Sequence, residues 1–236
     1  MEETRMVTVT VDGESYSYPR GTPYRAVAAD FQARFPCDIL LVNRDGKLCE
    51  LHKVLDRDCS LRMVTAQDKP GIQTYERSAV FLLLKAFYDV VGPERVERIS
   101  VEYSLSSALF LLTRGSFTLD QALLDQVEAR MRELSAAALP IEKRSISTDD
   151  AIDLFRQAGM VHKADLLSFR INSRVNIYSL DGFVNYFYGY MVPDTSYVRC
   201  FGLELFENGF VLRLPTQGDP NQLGEFRPSK KVFWEL

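Results

Sequence analysis

The sequence is poor in the residues that usually hold metals or move protons. It has two histidines, His52 and His162, in 236 residues, and four cysteines, Cys37, Cys49, Cys59 and Cys200. No two cysteines share a CxxC spacing, so these six residues make no zinc set. Scattered reduced thiols fit a chain kept in the cytoplasm. No Gly-x-x-x-x-Gly-Lys-Ser/Thr run occurs, and Lys230-Lys231 follow Ser229 without the required glycines. Phosphoryl transfer on a P-loop is thereby excluded for these residues, because that loop needs its glycine amides to cradle phosphates. A Gly-x-Gly-x-x-Gly fingerprint is missing too. The longest apolar run, Ala79 to Leu84, is too short to span a bilayer. Met1 to Arg5 lead into an alternating strand without the apolar stretch of a signal peptide. The expected location is the cytoplasm, with no membrane partner.

What is present fits a folded domain or two. Apolar residues make up 46% and charged residues 25%, with a net charge of −4. That balance argues against nucleic-acid binding spread over the whole surface, while leaving room for a local basic patch.

Residues 6–11 alternate, Asp12-Gly13 turn, and Ser15 to Tyr18 alternate again, which is a hairpin pattern. Thr22 is placed to cap a helix over 24–33, with Pro23 at its first position. Ile39 to Val42 read as a strand, Arg44-Asp45-Gly46 as a turn, and Leu61 to Val64 as a closing strand. Asp68 to Gly71 have the composition of a linker. A helix is expected over 75–91, with Ala79, Leu82, Leu83, Ala86, Phe87 and Val90 at helical spacing. Strands are expected over 99–103 and 109–112. A capping box, Thr118 to Gln121, opens a helix running to about 137. A strand at 139–144, a helix capped by Ser147 and a helical stretch over 162–169 follow. Strands at 175–178, 183–188, 200–206 and 210–214 complete the pattern, with Asn208-Gly209 as the last turn.

Several of these segments resemble known domains. Gly21-Thr22, the Val42 to Gly46 turn and Asp56 to Leu61 look like a TGS domain, a small β-grasp module. Tyr75 to Leu82, Leu139 to Glu142, Asp150 to Phe155 and Tyr186 to Pro193 resemble the editing domain of threonyl-tRNA synthetases. The fold class is therefore expected to be α+β: a β-grasp domain over 1–67, an editing-like α/β domain over 72–215, and an extended tail over 216–236. Tyr75 to Ser78, Tyr186 to Pro193 and Gly209 to Pro215 also look like the N-terminal region of bacterial uridine kinase-like proteins. That resemblance implies a regulatory or ligand-binding region whose parent phosphorylates a nucleoside with ATP and Mg²⁺. Its own C-terminal kinase domain, lying beyond Leu236, would be the partner. No cofactor is expected in this chain. The alternatives are a tRNA-binding module or a divergent aminoacyl-tRNA deacylase.

The editing domain carries His-x-x-x-His in the first segment and Cys-x-x-x-His in the second. Here those slots hold Arg77, Phe81, Phe187 and Met191. Phenylalanine neither ligates metal nor moves protons, and methionine is a poor ligand for a hard hydrolytic metal. Arginine stays protonated and has no acceptor. No catalytic or metal-binding residue is expected. The replacements either fill the cleft with apolar volume or remodel it to hold a nucleoside, with Arg77 gripping an anion. A buried Arg77 needs a counter-charge, for which Glu102 is the candidate. Tyr186, Tyr188 and Tyr190 form a period-two stripe, either a half-buried sheet face or a platform for stacking single-stranded RNA. Lys143-Arg144 and Arg170 with Arg174 would supply the accompanying charge.

Overall fold

The computed structural model describes residues 5–105, 107–169, 172–224 and 226, without the side chain of His162. Among these residues it is a mixed α+β structure with three separate sheets. The first sheet has the order β2-β1-β5-β3-β4. Its strands are β1 (Met6–Val11), β2 (Glu14–Pro19), β3 (Ile39–Arg44), β4 (Lys47–Glu50) and β5 (Cys59–Thr65). Helix α1 (Tyr24–Phe31) lays Tyr24, Val27, Ala28 and Phe31 on this sheet. Strands β1 and β5 pair in parallel and the remaining pairs are antiparallel. The hairpin at Asp12-Gly13 forms as expected.

Local details differ from the sequence reading. Thr22 does not cap α1: its hydroxyl donates to the Pro19 carbonyl, and Pro23 takes the cap position. Strand β4 was not anticipated, because Lys47-Leu48-Cys49-Glu50 mixes charge with apolar residues too briefly to show a period.

Helix α2 (Lys69–Val91) begins where a linker was expected. Pro70 in the first turn costs no hydrogen bond, so it opens the helix instead of breaking it. Gly71 is required there, since a Cβ at that position would sit 1.8 Å from the Thr65 carbonyl oxygen. Helix α2 is buried on nearly all sides, the mark of a central helix. It packs on α3 (Gln121–Ala136) and on the second sheet, order β11-β12-β7-β6. That sheet comprises β6 (Val96–Leu105), β7 (Ala108–Gly115), β11 (Gly202–Phe206) and β12 (Gly209–Arg213). Asp120, not Thr118, caps α3, accepting from the Leu123 amide at 2.8 Å. The final hairpin turns on Glu207-Asn208, and Gly209 already pairs with Phe206.

The third sheet, β10-β9-β8, is formed by β8 (Glu142–Ser147), β9 (Arg174–Leu180) and β10 (Phe183–Tyr186). Helices α4 (Thr148–Gln157) and α5 (Val161–Ser168) cover it through Ala151, Phe155, Ala164 and Leu167. Ser147 caps α4 as expected. No helix among the described residues is long and apolar enough to cross a membrane.

Candidate functional site

The segment that follows β10 lies against one face of α2. Spacing of four along the helix stacks Arg77 and Phe81 one turn apart, and the chain from Phe187 to Val192 runs across them. All four unusual slots therefore meet. Phe81 is fully buried, and its ring contacts Phe187 edge-on at 5.3 Å and Phe183 at 5.8 Å. Met191 is buried, with its sulfur 3.5 Å from Ser78 Oγ. Ser78 Oγ donates to the Thr74 carbonyl at 2.7 Å and accepts from the Val192 amide at 3.0 Å. These three side chains belong to, or pack on, the large core around α2. Aromatic and thioether volume fills the space.

Arg77 behaves differently from expectation. Its guanidinium donates to the Tyr190 carbonyl at 2.6 Å and lies flat against Gly189, where a Cβ would come within 2.6 Å of Cζ. Among the described residues it forms no salt bridge, and burial lowers its proton affinity below the usual value. Glu102 is not its partner: that side chain is exposed on β6 and accepts from Ser100 Oγ at 2.5 Å.

The tyrosine stripe does not form. Strand β10 stops at Tyr186, and the chain turns through Gly189 at φ +116°. Tyr186 packs on the α4–α5 cluster, Tyr188 is exposed, and Tyr190 stands beside Lys143. Period-two alternation holds only while the backbone stays extended. Lys143 is also unavailable as groove charge, because its side chain is only 18% exposed and pairs with Glu50 at 2.9 Å. Arg174 donates to the Ser145 carbonyl at 2.6 Å. Arg170 lies outside the described residues, as do 225 and 227–236 of the expected tail.

The sequence reading missed the centre of this region. Glu50 ends β4 with its side chain 1% exposed. It accepts from Lys143 Nζ and from the Met191 amide at 3.0 Å, while Tyr178 Oη lies 2.8 Å away. Tyr178 Oη is equally close to the Gly189 carbonyl, so its single proton serves one acceptor at a time. Burial, reinforced by the Glu50 charge, raises the Tyr178 phenol. His52 Nε2 stands 3.9 Å from Glu50, and burial lowers its imidazole. The available signal was a glutamate set among apolar neighbours, Leu48-Cys49-Glu50-Leu51.

A half-buried lysine lies beside β10. Lys163 of α5 donates to Asn185 Oδ1 at 2.6 Å, and burial pushes its amine down to about 8. One turn beyond Phe81 on α2, Lys85 pairs with Asp89 and Asp181 at the edge of a cavity of about 530 Å³ that Phe183 also lines. No group of three or more histidine, cysteine, aspartate or glutamate side chains able to hold a metal occurs among the described residues.

No family model matches the chain. Its sequence is similar to threonine–tRNA ligases. It is 30% identical to that of Methylococcus capsulatus over 167 residues, covering 67% of this chain and 25% of the ligase. The ligase of Thermotoga maritima is 26% identical over 195 residues, covering 81% and 29%. That of Paraburkholderia xenovorans is 28% identical over 200 residues, covering 84% and 31%. The chain thus spans from 25% to 31% of the length of these curated relatives. This overturns the resemblance to uridine kinase-like proteins. A nucleoside-kinase parent and a kinase-domain partner have no support among these relatives.

Proposed function

We propose that this chain is a tRNA-binding module that lacks the hydrolytic chemistry of an editing domain. The first sheet with α1, residues 1–67, reads as a TGS-like β-grasp domain, and residues 72–215 read as the editing-like domain. The observation that carries the proposal is the filling of the four slots. Phe81 and Met191 are buried against Phe187 and Ser78, and Arg77 is turned onto a backbone carbonyl. The four slot side chains themselves supply no general base and no ligand for a hard hydrolytic metal. Similarity to threonine–tRNA ligases supports tRNA as the partner.

The test has two parts. Uncharged tRNA is titrated against the chain at low and moderate salt, and threonyl- and seryl-tRNA are incubated with it to follow deacylation. Salt-sensitive binding without turnover is the expected pair of results. Absence of binding even at low salt would sink the reading.

One observation favours a divergent deacylase as the second reading. Lys163 is a half-buried amine with depressed proton affinity, held by Asn185 two residues before Phe187. Perturbed groups of this kind gather at active sites. Turnover of charged tRNA that disappears in Lys163→Met would support this reading over the first.

A further inference from the structure

We propose that the RNA backbone lies in a groove between α1 and the C-terminal half of α3, with Arg25, Arg132 and Arg199 contacting phosphates. The inference rests on the tRNA-binding reading and adds the surface to it. Two cavities, of about 440 and 360 Å³, meet along this groove and share Ser196 and Arg199. Arg25 and Tyr197 line the first, and Arg132 and Phe201 line the second.

Each arginine has a carboxylate partner, so the three pairs carry no net charge, but the guanidinium is the more exposed member of each. The side chains of Arg25, Arg132 and Arg199 are 53%, 55% and 65% exposed. Their partners Asp194, Glu128 and Asp38 are 3%, 23% and 28% exposed. Asp194 is buried beneath Arg25, Asp38 lines the first cavity beside Arg199, and the guanidiniums are the more solvent-exposed groups. Two of the cations are further fixed on aromatic faces, Arg25 over Tyr197 at 5.9 Å and Arg132 over Phe201 at 5.1 Å. Arginines held at one edge keep their other N–H groups in a fork that matches phosphate oxygens. With a net charge of −4 the chain as a whole does not attract a polyanion, so phosphate contacts have to rest on exposed guanidiniums such as these.

The experiment measures tRNA affinity against salt for the whole chain and three variants. Arg132→Ala with Arg199→Ala removes charge, and Arg132→Lys with Arg199→Lys keeps it. Arg98→Ala with Arg114→Ala alters exposed arginines on β6 and β7 as a control. Arg25 is left intact because Asp194 beneath it would lose its cation. Each phosphate contact contributes about 0.7 to 0.9 to the slope of log affinity against log salt. The alanine pair is expected to flatten that slope by about 1.5, while the lysine pair and the control keep it. Bound tRNA should also shield Arg132 and Arg199 of the unaltered chain from phenylglyoxal, a readout that needs no variant. If tRNA binds but neither the slope nor the shielding changes, the groove assignment fails and the binding reading stands. If the unaltered chain binds no tRNA, the reading itself fails. Equal competition by polyglutamate would overturn RNA as the occupant.

Discussion

The carboxylate of Glu50 accepts a hydrogen bond from the backbone amide of Met191 at 3.0 Å, across 141 residues of sequence. The same carboxylate holds Lys143. It therefore ties the end of β4 to β8 and to the segment that crosses α2. Three elements distant in sequence depend on one buried charge.

Removing that charge should be costly. Glu50→Gln leaves Lys143, only 18% exposed, without its counter-ion. Breaking a buried pair from one side costs about 3 to 5 kcal/mol. Urea unfolding is expected to show a loss in that range, largely recovered when Lys143→Met is added. A loss below about 1 kcal/mol would mean that water already screens the pair.

Phe81 distinguishes a filled cleft from a pocket. Phe81→Ala removes a fully buried ring that touches Phe183 and Phe187. The expected destabilisation is about 3 to 5 kcal/mol. A much smaller cost in chemical denaturation would indicate that the ring borders open space, and the filled-core reading would then fail.

Gly189 and Arg77 should be coupled. At φ +116° a side chain is strained, and its Cβ would also press on the guanidinium. Gly189→Ala is expected to cost more than about 1 kcal/mol. Adding Arg77→Ala removes the contact but not the backbone strain, so the double variant should lose less than the sum of the two singles. Simple additivity in a double-mutant cycle would count against the stacking of Arg77 on Gly189.

Lys163 gives a pH signature. Its amine titrates near 8 in the folded chain and near 10.5 when unfolded. Between those values the unfolded state holds more protons, so stability rises with pH through that window. Below about 8 both states are protonated and the burial penalty is felt in full. Urea midpoints from pH 7 to 9.5 should climb in the unaltered chain relative to Lys163→Met. Parallel curves would show that the amine is solvated.

The sequence alone determined most elements and the segments that meet at the site. Apolar spacing marked α2 and α3, Asp12-Gly13 marked a hairpin, and the four substituted slots marked the segments that come together on α2. These signals are local, so adjacent residues suffice to read them. The kinase parent was a misreading of the same kind of evidence, because short matching segments do not separate related architectures; comparison over 195 or more residues points to threonine–tRNA ligases instead. Tertiary structure decided the rest. Where β10 ends, that Arg77 turns to a backbone carbonyl instead of Glu102, and that Glu50 anchors the site all depend on contacts across a hundred or more residues. Burial of a single charge is settled by what the fold brings around it, and no local pattern encodes that.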